Sequence, residues 1–159
     1  MGYVIADFDQ YLHLYWRIDD YNLEDGGTLR LNTGQPISIR EYGEGRGGRL
    51  KINLFDWNRD GKTDLLLATD GQDTIPDKDG IPGTGGAMIL LMPGVGDREN
   101  IQFARPRPLR YKGETVRLGC HAASVAPYPS EHGEYGALVT CENGRMYLVQ
   151  PEDISWGQE

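Results

Sequence analysis

The chain has 159 residues and a mass of 17.8 kDa, enough for one domain with a modest core. Its 24 acidic and 16 basic side chains leave a net charge of −8, which argues against nucleic acid or an anionic membrane surface as the main partner. No apolar run approaches the roughly 20 residues of a membrane-spanning helix, and 38% hydrophobic content excludes wholesale disorder.

Residues 1–7 lack a basic segment, and their apolar stretch is too short for a signal peptide, so the expectation is a cytoplasmic chain or one whose leader has been removed. Beyond them, short apolar bursts alternate with turn residues. Stretches 11–16, 29–31, 50–55, 65–68, 87–92, 137–141 and 146–149 lie between glycine, aspartate or asparagine. Bursts of that length without a sustained 3.6-residue period predict strands. Tyr11-Leu12-His13-Leu14-Tyr15 also alternates polar with apolar, as a strand with one buried face does. The predicted class is all-β.

A turn followed by an apolar strand recurs in three places, at 9–15, 85–91 and 143–149. A strand turning at glycine recurs at 29–37 and 109–116, and the order of elements is kept, with an insertion over 70–84. Repeats too small to bury a face alone predict β-propeller blades or a similar array. The expected layout is a partial propeller over 1–159: about two blades plus the outgoing strand of a preceding blade. The end of that preceding blade covers 1–28, a first blade 29–92 and a second blade 93–159. Two blades and a fraction do not close a ring. The missing blades are therefore expected from a longer chain or from copies of this one.

One motif carries chemistry. Asp56-Trp57-Asn58-Arg59-Asp60-Gly61-Lys62-Thr63-Asp64 places oxygen-bearing side chains at alternate positions, with glycine at the sharp turn. A hard cation such as calcium takes several oxygen ligands at once, and this spacing wraps them around one point. The expected ligands are the side chains of Asp56, Asn58, Asp60 and Asp64 and the carbonyl of Lys62. Leu67 stands where an EF-hand needs its glutamate, and the flanks read as strands, so this is not an EF-hand. The plainer alternative is a solvated turn.

With these residues in view, stretch 52–67 resembles the FG-GAP/VCBS repeat family, whose Asp-x-Asn/Asp-x-Asp-Gly-x-x-Asp-Leu loop joins two strands of a propeller blade and binds calcium. Stretch 93–109 is similar to the connector that follows in such repeats, and 147–153 resembles the C-terminal end of such proteins. The resemblance implies a calcium-binding, extracellular or periplasmic location and a C-terminal portion of a larger repeat protein. The second repeat departs from the pattern. Its aligned ligand positions are Pro127 and Ala137, neither of which ligates through a side chain, so that loop is expected to be metal-free.

The remaining candidates each have a plainer reading. Asp70, Asp73, Asp77 and Asp79 in the insertion are a second calcium site or an acidic surface loop. Arg105, Arg107 and Arg110 receive an anionic sugar polymer or lie on an exposed connector. Tyr11, Tyr15 and Trp16 form a sugar platform or pack between blades. His13 and His132 have no partner that spacing identifies. Cys120 and Cys141 form a disulfide within one blade, if Val125 faces Ala137 across a hairpin, or remain two buried thiols.

Two functions follow. One is a non-enzymatic, calcium-stabilised propeller module that binds or scaffolds an extracellular polysaccharide or protein. The other, implied by related propellers, is the end of a polysaccharide lyase acting on acidic glycans. A lyase needs a base near a cation that holds enolate-like charge, and His121, Tyr128 and Arg117 are the set nominated.

Overall fold

The computed structural model describes residues 1–39, 50–69, 86–97, 99–118, 123–131, 133–142 and 144–157. The insertion aspartates, Cys120, His121 and His132 fall outside these. Within them the named elements are strands and a single 3-10 turn, in keeping with the all-β expectation. No helix among the described residues is long and apolar enough to cross a membrane.

Strands β1 (Gly2–Ala6), β2 (Leu12–Arg17) and β3 (Leu23–Thr28) form an antiparallel sheet in that order. The alternation in β2 does what the pleat requires: Leu12 and Leu14 are buried, whereas His13 and Tyr15 are half-exposed on the other face. The 1–28 segment was expected to supply one outgoing strand and instead makes a three-stranded sheet. Its β3, Leu-Glu-Asp-Gly-Gly-Thr, has no apolar pattern and pairs because β2 presents a free edge, with a register shift between His13 and Tyr15.

The central sheet holds β5 (Lys51–Phe55), β6 (Asp64–Ala68), β7 (Ile89–Met92) and β9 (Arg107–Tyr111), all antiparallel. Short β10 (Glu114–Thr115) and β14 (Ile154–Trp156) also pair with β9. Because β9 joins β7, residue 92 divides one sheet rather than two units. A small parallel pair, β4 (Arg30–Leu31) with β8 (Gln102–Phe103), bridges the first sheet to this one.

Leu65-Leu66-Leu67-Ala68 is a continuous apolar run because both faces of β6 are covered. Leu65 and Leu67 pack with Leu90 and Met92 against Leu12, Leu14 and Phe103 on the first-sheet side. Leu66 and Ala68 pack with Ile89 and Leu91 against Val125, Val139 and Val149 on the other. Unbroken hydrophobic strands are what burial on two faces demands. Three sheets are therefore stacked face to face, with two cores between them.

The third sheet is β11 (Ala123–Pro129), β12 (Tyr135–Cys141) and β13 (Met146–Val149). It corrects the expected hairpin register by two residues. Val125 faces Val139, Ala137 faces Pro127, and Cys141 faces Ala123. Pro127 and Tyr128 belong to the strand, not to a loop. The chain turns only at Ser130, whose amide donates to the Glu134 carbonyl at 2.8 Å, with Gly133 at φ +86°. Two prolines are tolerated in β11 because it is the edge of this sheet.

Cys141 is buried and disulfide-bonded, while Cys120 lies outside the described residues. Reduction with dithiothreitol is expected to lower the melting temperature by roughly 5–10 °C, from the usual ~2–4 kcal/mol of a native disulfide. Differential scanning fluorimetry with and without reductant measures it.

Candidate metal centre

The Asp56-to-Asp64 loop connects β5 to β6, whose register closes at Phe55 opposite Asp64. Arg59 at φ +59° and Gly61 at φ +83° curl it. Glycine is needed at 61 because a Cβ there strains the backbone. Its polar side chains turn inward onto its own amides. The Asp56 carboxylate accepts from the amides of Asp60 (3.1 Å) and Gly61 (3.0 Å). Asn58 Oδ1 accepts from the same Asp60 amide at 3.1 Å, while its Nδ2 donates to Asp60 Oδ2 at 3.0 Å. Asp60 Oδ1 takes the Lys62 amide at 2.9 Å.

Asp64 differs from the others. It is 1% exposed, and each of its oxygens holds a backbone amide: Trp57 on Oδ2 and Gly94 on Oδ1, both at 2.8 Å. Burial pushes its carboxyl above the usual range, the two amide hydrogen bonds pull it back, and the charges of Asp60 and Asp56 add to the rise. Asp60 is exposed and moves the other way, held down by the Lys62 amide and by Asn58.

Two contacts dock the loop onto the segment after β7, and spacing within the motif does not reveal them. A Cβ on Gly94 would lie 2.4 Å from the Thr63 carbonyl oxygen, so only glycine allows that approach. Lys62 Nζ also donates to the Val95 carbonyl at 3.3 Å. Pro93-Gly94 marks a turn in sequence, but its role as partner to Asp64 is a tertiary contact.

Among the described residues no three Asp, Glu, His or Cys side chains form a ready-made ion cage. The donor set still fits a hard divalent cation. It offers carboxylate and amide oxygens with no nitrogen or sulfur among them, and in this structure Asp56 and Asn58 spend theirs on the Asp60 amide. Asp64→Asn tests the structural share of the loop. The amide side chain supplies one acceptor where two buried amides need one each, so a loss of about 1–3 kcal/mol is expected even in EDTA. Urea unfolding measures it.

The other candidates are dispersed. Along β9, Arg107 shares a face with buried Leu109 and Arg110 lies on the opposite one, beside Gly157; Arg105 is exposed before the strand. They make no single basic patch. Tyr15 donates to Asp7 Oδ2 at 3.0 Å, the Tyr11 backbone bridges to Ser38, and Trp16 packs on the core of the first sheet, so Trp16 does not share a face with Tyr15. His13 has a partner that spacing missed: its Nε2 lies 2.8 Å from Asp9 Oδ2. Arg117 bridges Met88, beyond the Ala68 end of β6, whereas Tyr128 lies at the Asp64 end, one position from the Pro129–Tyr135 pair. Their registers hold them apart. Searched against protein-family models, curated proteins and solved structures, the chain has no match.

Proposed function

We propose that the chain is part of a calcium-stabilised β-propeller that acts as a binding or scaffolding module for an extracellular polysaccharide or protein. The observation that carries this reading is an Asp-x-Asn-x-Asp-Gly-x-x-Asp loop joining two antiparallel strands of a sheet buried on both faces. The three stacked sheets are read as successive blades. When bound, calcium supplies positive charge against Asp56, Asp60 and Asp64. The chain's own part is to hold the donors in place, through the curl at Gly61 and the docking of Asp64 on Gly94.

The outer faces of the stack support continuation by further blades or by copies. Tyr3 and Ile5 stand 40% and 42% exposed on the first sheet. On the third, Ala126, Leu138 and Leu148 form a cross-strand apolar row, with Leu148 46% exposed. The disulfide at Cys141 supports an oxidising, extracellular or periplasmic setting.

Terbium tests the metal site directly, because it replaces calcium at oxygen sites and Trp57 within the loop is positioned to sensitise its emission. Sensitised emission is expected on titration, reversed by excess calcium and lost in Asp60→Ala. No emission, or emission indifferent to that substitution, rejects the site.

A further inference from the structure

We propose that the cleft beside the metal loop, between Trp57, Tyr135 and Trp156, binds a neutral pyranose ring of a glycan. This deepens the module reading above and rests on it, by naming where a saccharide sits and which kind it is. The cleft has a volume of about 650 Å³, within the range of small-molecule sites. Three separate segments build it: the β5–β6 loop, the turn between β11 and β12, and the 3-10 turn (Pro151–Asp153) with β14.

Its rings are fixed before any ligand arrives. The rings of Trp57 and Trp156 meet edge to face at 5.3 Å, and Tyr135 lies 6.2 Å from Trp57. Phe55 backs Tyr135 at 4.5 Å, and the Arg59 guanidinium caps its ring at 4.6 Å. The Trp57 amide is held by Asp64, and Trp156 is pinned opposite Leu109 in the ladder. All three rings remain partly exposed. Rigid, half-exposed aromatic surface offers apolar contact at small entropic cost.

The polar groups specify the occupant. Trp156 Nε1 is buried, so what Trp156 presents to the cleft is ring surface rather than a donor. Glu134 and Glu152 stand exposed at the rim and accept from hydroxyls. A pyranose has that complement: a C–H face for the rings and a circle of hydroxyls that both donate and accept. A proline-rich peptide also uses aromatic grooves, but its prolines lack the N–H donors that these carboxylates would take. The charge selects a neutral sugar. Glu134 and Glu152 outweigh Arg59, and Asp56, Asp60 and Asp64 outweigh a bound calcium, so the cleft and its loop stay net negative and a uronate is disfavoured.

Saturation-transfer NMR on the full chain in calcium, with the methyl pyranosides of glucose, galactose and mannose as probes, tests this. Transfer to the ring C–H protons of at least one is expected, and none to methyl glucuronide. Trp156→Ala removes ring surface from the cleft; Glu152→Gln alters an exposed rim residue and leaves the fold intact. Each is expected to weaken binding about five- to tenfold. The proposal is overturned by silence from all three glycosides, by binding unchanged in both variants, or by a proline-rich peptide seated in the cleft in their place. Terbium emission read in parallel calcium-free samples of the same protein separates the two readings. Glycoside silence with emission intact rejects the cleft alone, whereas loss of emission rejects the metal loop.

Discussion

Calcium added to metal-free protein is expected to raise the melting temperature by about 5–10 °C, and Asp60→Ala to abolish the rise. The size follows from linkage: a ligand at about 100 times its dissociation constant, bound only by the folded state, adds ~2.7 kcal/mol. In a chain of this length each kcal/mol moves the midpoint by roughly 2–4 °C. The loop is suited to that linkage because the fold, through the β5–β6 pairing and the curl at Gly61, holds these oxygen-bearing side chains in one short turn. In the fold, Asp56 and Asn58 already share the Asp60 amide. Asp60 is the right position to remove because it is exposed and spends its hydrogen bonds inside the loop, on the Lys62 amide and Asn58. Its loss leaves the docking on Gly94 untouched. The variant should fold and melt near the metal-free wild type, with and without calcium. A wild type indifferent to calcium would reduce the loop to a turn closed by its own amides.

The turn from Asp56 to Asp64 and the strands flanking it were legible because each depends on local rules: polar side chains at alternate positions, glycine at a left-handed turn, apolar bursts between breakers. The Leu65-to-Ala68 run also announced a strand, and burial on both faces explains why it does not alternate. What escaped was set by partners distant in sequence. β3 carries two glycines and two acids and becomes a strand only because β2 offers it an edge. Pro127 and Pro129 read as loop residues, and only their position on a sheet edge makes them compatible with β11. Gly94 reads as a turn, and its use as the amide partner of Asp64 requires the loop and the segment after β7 to meet. Trp57, Tyr135 and Trp156 come from three distant segments, so no spacing rule assembles them.

Leu66→Ala and Leu67→Ala are each expected to cost about 2–5 kcal/mol, although they are neighbours whose side chains point in opposite directions. In a sheet with one wet face, one of two adjacent residues meets solvent and its truncation is nearly silent. Here both are 0% exposed. Leu66 packs among Val125, Val139 and Leu109 toward the third sheet; Leu67 packs among Leu12, Phe103 and Leu90 toward the first. Because the two cavities open in different cores, their costs should add within about 0.5 kcal/mol, and the double variant approaches or exceeds the whole stability of an ordinary domain, ~5–15 kcal/mol. Leu54→Ala is the internal control: on neighbouring β5 and 38% exposed, it should lose much less. Urea unfolding of the four variants reads the result. A near-silent Leu66→Ala beside a costly Leu67→Ala would detach the third sheet from the stack, and the reverse pair would detach the first. Equal, additive losses are what a sheet covered on both faces must show, since it is dry on either side and has no cheap position in its inner strands.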